Sequence, residues 1–238
     1  MTSPDARTFV LVHGTNSGGW CWGLVTDRLR AKGHRVLTPT LTGCGERSHL
    51  MSADINLDTH ITDVVNVIKW EELSRVVLCG HSSGGWVISG VVEKIPALID
   101  SIVYLDAFLP KDGQRPFDMQ SPGSQEAVLA AKEAGEISRP PGSKARYNID
   151  PRNRAWVDSL ATPQPIGSSL QPIHLTGALE RVPKKAYIRA IAYPHPYFGA
   201  YYEALKNDSS WRRFEVNCGH VVMVDKPEEL TDILIDVA

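Results

Sequence analysis

Between residues 76 and 90 the chain reads VVLCGHSSGGWVISG, and this stretch constrains the fold more tightly than any other. A serine thrown out of a strand-to-helix turn needs small residues two positions before it and two after it, because the backbone reverses within those five residues. Gly80-His81-Ser82-Ser83-Gly84 meets that requirement for Ser82. Ser83 does not, since the residue two before it is His81, whose side chain would crowd the turn. Glycine and serine also fill ordinary turns, so the pattern alone is weak. Its flanks strengthen it: residues 75–79 read as a short buried strand and residues 86–92 as an apolar helix start. Such an elbow exposes the Ser82 hydroxyl at the top of a parallel sheet.

The rest of the chain supplies that sheet. Residues 8–12 read as a buried strand, and residues 22–32 have helical spacing with Leu24, Val25 and Leu29 on one side, stopped by Gly33. A second strand over residues 34–41 leads into a Gly-rich loop, and then into a helix over 56–70 striped by Ile61, Val64, Val65 and Ile68. Asn56 or Asp58 is placed to cap it. Further strands are expected at 101–107, 184–192 and 212–216, with helices after the elbow to about 94, at about 197–206 and at about 227–237. This alternation predicts an α/β fold, with a mostly parallel sheet of about six strands covered on both faces by helices.

From Phe108 to Lys184 the rhythm breaks. The tract is rich in Pro, Gly, Gln and Ser, least foldable over residues 138–153, and offers only short helical candidates such as 125–134. It is too long for a connecting loop, so residues 108–184 are expected to form an inserted, mainly helical cap on a core made of 1–107 and 185–238.

Composition excludes several partners. At 238 residues with a net charge of −2, the chain has no basic excess with which to hold nucleic acid or an anionic membrane surface. No run reaches the roughly 18 apolar residues of a spanning helix, and the first residues lack the apolar core of a signal peptide. Cys21, Cys44, Cys79 and Cys218 are scattered singly, which fits neither a metal site nor a disulfide framework and suits reduced thiols in the cytoplasm. No metal or cofactor is expected.

A serine hydroxyl becomes a nucleophile only with a base in reach and a third group to orient that base. His220 is the candidate base, because it follows the last core strand and precedes the last helix, where it can reach back over the sheet. His13 and His81 read as turn residues, His34, His60 and His174 as surface or capping residues, and His195 as a pocket residue without an evident partner. An oxyanion would be held by backbone donors, the Ser83 N–H after the nucleophile and the Thr15 N–H in the first strand-to-helix loop, where Gly14 permits close approach.

FVLVHGTNSGGWCW, TLTGCGERSH, GHSSGG, YLDAFLP and GHVVMVDKPEEL, in this order from the first strand to the last helix, resemble the α/β-hydrolase superfamily. Within it they are most similar to the small-esterase group that contains plant methylesterases and hydroxynitrile lyases. The resemblance implies a cofactor-free hydrolase with a Ser-acid-His triad and a cap over the pocket. Members commonly carry the acid after the penultimate strand, but the corresponding loop from Ile188 to Phe198 has no carboxylate. Asp106 is the substitute: it ends the strand beside the elbow, some relatives draw their acid there, and the order Ser, Asp, His is kept. Its other reading is a strand-end cap, with Glu203 and Asp208 as fallbacks.

The lyases of this group carry a threonine where this chain has Gly14, and a lysine where it has Val221. Hydrolysis of a small, apolar or aromatic, methyl-ester-like substrate is therefore the leading expectation. Carbamate or amide hydrolysis, lyase chemistry and non-catalytic binding of a small ligand are the alternatives. Cap residues Phe108, Phe117, Met119, Trp156 and Leu160, with Trp20 and Trp86 nearby in sequence, suggest an apolar pocket, and Gly14, Trp20, Phe108, Met119 and Trp156 are the expected substrate contacts, though each of the side chains serves equally well as core filling. A homodimer through the cap is common in such enzymes and is not legible here.

Overall fold

The computed structural model describes residues 6–142 and 147–238. Its strands are β1 (Thr8–Val12), β2 (Arg35–Leu37), β3 (Val76–His81), β4 (Ile99–Leu105), β5 (Ser138–Arg139), β6 (Gln164–Pro165), β7 (Lys184–Ala190) and β8 (Trp211–Val216). Six of them form one sheet in the order β2-β1-β3-β4-β7-β8, and every neighbouring pair is parallel. Order reverses at β1, so a crevice opens at the carboxyl ends of β1 and β3, the place where open α/β sheets bind ligands. β2 is shorter than its sequence suggests. Pro39 has no N–H for a ladder, and the Thr40 hydroxyl instead accepts the Gly19 amide at 2.7 Å.

Helices α1 (Gly23–Ala31), α2 (Leu57–Trp70), α3 (Gly84–Lys94), α4 (Pro122–Glu133), α5 (Pro151–Ser159), α6 (Gly167–Leu170), α7 (Pro196–Ala204), α8 (Val222–Asp225) and α9 (Pro227–Asp236) complete the chain. Asn56 caps α2: its side chain accepts the Thr59 amide, and Thr59 answers the Asn56 amide. Ile61, Val64, Val65 and Ile68 are buried against one face of the sheet with α3, each worth roughly 1.5–3 kcal/mol of transfer free energy. Val25 and Leu29 of α1 and Leu230 and Leu234 of α9 fill the other face. Among the described residues no helix is long and apolar enough to cross a membrane.

Between β4 and β7 the chain leaves the sheet and builds α4, α5, α6 and the two-residue antiparallel ladder of β5 with β6. The least foldable tract of the sequence, 138–153, includes residues 143–146, which lie outside the described residues, as do residues 1–5 of the N-terminus. Its end is ordered by a helix start: the Asp150 side chain accepts the Arg152 amide, and Pro151 occupies the first turn of α5.

Candidate active site

Ser82 sits at the carboxyl end of β3 with φ of 56°, a left-handed conformation that costs an L-residue energy. Three backbone hydrogen bonds hold it there. Ser82 N–H donates to Leu105 O (3.2 Å), while Ser82 O accepts from Gly85 (3.1 Å) and Phe108 (3.1 Å). A Cβ on Gly80 would come 2.7 Å from the Gly84 carbonyl oxygen, which is why both ends of the turn must be small. Because Leu105 and Phe108 bracket Asp106, the bonds that fix Ser82 also fix the end of β4.

Asp106, His220 and Ser82 form a continuous chain of hydrogen bonds. His220 Nδ1 lies 2.6 Å from Asp106 Oδ2, and His220 Nε2 lies 2.9 Å from Ser82 Oγ. With the carboxylate accepting at Nδ1, the Nδ1–H tautomer leaves Nε2 to accept from the serine hydroxyl. Asp106 is fully buried, with φ of 41°, and its own N–H donates to Ile188 O at 2.7 Å. Its Oδ1 accepts from Ala190 N–H (3.1 Å) and from the Arg189 guanidinium. Burial pushes the Asp106 carboxyl up to about 6, against the opposing pull of Arg189, the Ala190 amide and His81. Neither fallback acid approaches His220: Glu203 is exposed beside Arg213, and Asp208 turns back on Ser210. His81 donates from Nε2 to the His220 carbonyl at 2.8 Å, tying the elbow to the histidine loop.

At the end of β1, Leu41 N–H donates to His13 Nε2 (3.0 Å), so the proton of His13 is on Nδ1, where it donates to Gly14 O (2.8 Å). Pinning that carbonyl orients the Thr15 N–H of the same trans peptide in the opposite direction. Thr15 Oγ1 donates to Ser83 Oγ at 2.9 Å, so the two expected oxyanion donors belong to residues joined through their side chains. Asn16, with φ of 59°, is held by the inserted segment: its N–H donates to Gln164 Oε1 (3.0 Å), its side-chain amide to Thr162 O (2.8 Å), and Thr162 N–H returns to Asn16 O (3.4 Å). On the opposite side His220 N–H donates to Tyr147 O at 2.9 Å, and a Cβ on Gly219 would come 1.9 Å from Asn148 O. The insertion thus grips both the first loop and the histidine loop.

Burial pushes His13 from 6.5 down to about 4. A histidine lowered in this way stabilises the fold fully above pH 6.5, and that contribution is lost as pH falls towards 4. Asp106, raised from 3.8 to about 6, favours the fold in the same descent and offsets part of the loss. Urea unfolding of wild type against His13→Asn should isolate the histidine part. The stability difference between the two should shrink by about 3 kcal/mol from pH 7 to pH 4, and a difference independent of pH would mean that His13 is not held neutral.

A cavity of about 530 Å³ opens over this constellation, with Gly14, Thr15, Ser82, Ser83 and His220 in its wall. Phe108 and Met119 also line it, as does Trp86. Trp20 and Trp156 do not. They pack edge to face with each other at 5.2 Å, and Trp156 is 42% exposed. Phe117 packs with Val128 and Ile166 in the insertion's own small core, and Leu160 is exposed. His60 is buried in the cavity wall rather than on the surface, with Nε2 donating to Thr42 O at 3.0 Å. His195 lines the cavity stacked on Phe198 at 3.9 Å, and burial pushes it down to about 4, so it is a neutral imidazole. Tyr147 and Tyr193, which no sequence pattern marked, flank the His220 ring at 5.1 and 4.5 Å. Among the described residues no cluster of His, Cys, Asp or Glu is arranged to hold a metal ion.

The sequence profile of the alpha/beta hydrolase family matches residues 9–233. A carbendazim hydrolyzing esterase of a Nocardioides species is 39% identical over 240 residues, covering 95% of this chain and 97% of its own. Methylesterase 1 of Arabidopsis thaliana is 37% identical over 112 residues, 45% of this chain and 42% of its own. Among solved structures, an extracellular alpha/beta-hydrolase from a Paenibacillus species, which shares structural and functional homology with tobacco Salicylic Acid Binding Protein 2, has a TM-score of 0.83 at 24% identity over 98% of this chain and 99% of its own. A pyrethroid hydrolase from Sphingobium faniae has a TM-score of 0.75 at 19% identity over 97% and 96%. At those identities the two structures speak to the fold alone.

Proposed function

The chain belongs to the alpha/beta hydrolase family, and from that membership we propose that it is a serine esterase acting on small, flat aromatic esters and methyl carbamates through an acyl-enzyme. The observation that carries this reading is the hydrogen-bonded chain from Asp106 through His220 to Ser82, ending in an aromatic-walled cavity. In the proposed reaction His220 Nε2 takes the Ser82 proton as Oγ attacks the carbonyl carbon. The Thr15 and Ser83 amides hold the developing oxyanion. Collapse expels the alcohol, which leaves with the proton from His220, and Ser82 carries the acyl group. Water then attacks by the same route, delivering its proton to His220 and releasing the acid. From a methyl N-aryl carbamate the departing alcohol is methanol, and hydrolysis of the carbamoyl-serine gives a carbamic acid that falls apart to an amine and carbon dioxide.

The carbamate enters this reading from the esterase similar over nearly the whole chain, and the cavity supports a flat ring with polar edges. Phe108, Tyr193, Tyr197 and Phe198 are among the aromatic residues that line the cavity. Trp86 Nε1, Gln120 Oε1 and His195 Nδ1, all from cavity-lining residues, have no hydrogen-bond partner among the described residues. The test is turnover of p-nitrophenyl acetate, a methyl aryl ester and a methyl N-aryl carbamate, with methanol and arylamine measured separately. Methanol from both methyl substrates, with amine from the carbamate, is the expected result. Turnover of the esters without the carbamate would restrict the enzyme to esters. Failure of all three, with cyanide released from an aromatic cyanohydrin, would replace hydrolysis by lyase chemistry.

A further inference from the structure

Beside Asp106 lies the buried guanidinium of Arg189. We propose that Arg189 is a positioning residue of the catalytic centre: from the end of β7 it grips Asp106 and the following loop together, and so selects which carboxylate oxygen meets His220 and where the imidazole rests. This proposal rests on the serine-hydrolase reading.

Three acceptors fix the guanidinium. One terminal nitrogen donates to Asp106 Oδ1 and to the Ala190 carbonyl, and the other donates to the Tyr193 carbonyl. With Ala190 N–H also on Oδ1, that oxygen is saturated, and Oδ2 is the oxygen presented to His220 Nδ1. The grip on Tyr193 O reaches the same ring by a second route, because the Tyr193 ring lies against the His220 imidazole at 4.5 Å. Arg189 is buried, and it is absent from the cavity wall, so it acts on the reaction through Asp106 and Tyr193 and not through the substrate.

Charge points the same way. The groups facing Asp106 are His81 at the end of β3, Tyr187 and Arg189 on β7, His195 in the loop after it, and Cys218 and His220 after β8. Of these, Arg189 alone is a permanent cation. A fully buried carboxylate resists ionisation, and a cation beside it restores the charged form that His220 requires. Removing that cation makes the Asp106–His220 pair easier to protonate, so activity is lost at a higher pH as the solution is acidified.

The experiment is the pH profile of kcat/KM with p-nitrophenyl acetate for wild type, Arg189→Met and Arg189→Lys, with Ser82→Ala as the control. In Arg189→Met the acidic limb should move up by about 1 pH unit or more, and plateau kcat should fall on the order of tenfold to a hundredfold, with KM nearly unchanged. Arg189→Lys keeps the charge but cannot span three acceptors, so its limb should stay near that of wild type while kcat falls at least about fivefold. Far-ultraviolet circular dichroism and cooperative thermal melting identify which variants are folded. If Arg189→Met does not fold, the lysine variant decides: wild-type kcat there overturns the proposal. A folded methionine variant with an unmoved limb also overturns it, since a merely structural arginine would alter stability and leave the limb in place. Turnover surviving in Ser82→Ala would instead remove the serine reading itself.

Discussion

Replacing Ser82 by alanine is expected to lower kcat by at least about a thousandfold while the protein remains folded. The Ser82 side chain has its hydrogen bond to His220 Nε2, and the three backbone bonds that hold the elbow survive the change. Alanine tolerates the positive φ about as well as serine does, so the loss would be chemical and not conformational. Stopped-flow measurement of an activated aryl ester should show no burst of the aryl leaving group in the variant, and thermal melting should stay within a few degrees of wild type. A variant that kept its burst would place the acyl group on another residue.

The second large effect belongs to Asp106→Asn, for which a fall in kcat on the order of a thousandfold to ten-thousandfold is expected. Around Asp106 the donors decide the orientation of an amide. Arg189 and the Ala190 N–H both require an acceptor at the Oδ1 position, so the asparagine oxygen must stay there and its NH2 must face His220. His220 Nδ1 then has to accept, which moves the ring proton to Nε2, the atom that must take the proton from Ser82. The base is present but in the wrong tautomer. Steady-state kinetics with KM measured separately will check this: kcat should fall and KM should hold, because Asp106 is remote from the substrate. More than a tenth of wild-type activity would mean that the orienting acid is elsewhere.

Ser82 could be singled out from the sequence because the elbow tolerates so few residue types around it, and the strand-helix alternation that surrounds it reports its own period. The six-strand sheet followed from that period. Asp106 was legible only as a position, a carboxylate at the end of a strand next to the elbow, and its bond to His220 is a long-range contact that no local pattern records. Arg189 was not legible at all, since a basic residue near a strand end is ordinary until the strand on its other side is known. Trp20 and Trp156 show the converse: an aromatic side chain is expected in a pocket wall on its type alone, whereas in space these two pack against each other. His60 differs from its expected surface or capping place because the helix face it shares with Ile61 and Val64 is buried, which a polar side chain at that position does not signal. The start of α5 is marked in the sequence by Asp150-Pro151, a cap followed by a first-turn proline, but the proline-rich tract before it masks that signal.

The bonds that join the insertion to Asn16 and to His220 have a consequence for how the molecule comes apart. A segment that merely covered a pocket could fray by itself, leaving a naked but competent catalyst beneath it. Here Thr162, Gln164 and Tyr147 hold the two loops that carry Asn16 and His220, so any opening that frees these residues also releases the loops. The roof and the machinery then belong to one cooperative unit. Heat inactivation and melting of the inserted segment then become a single event.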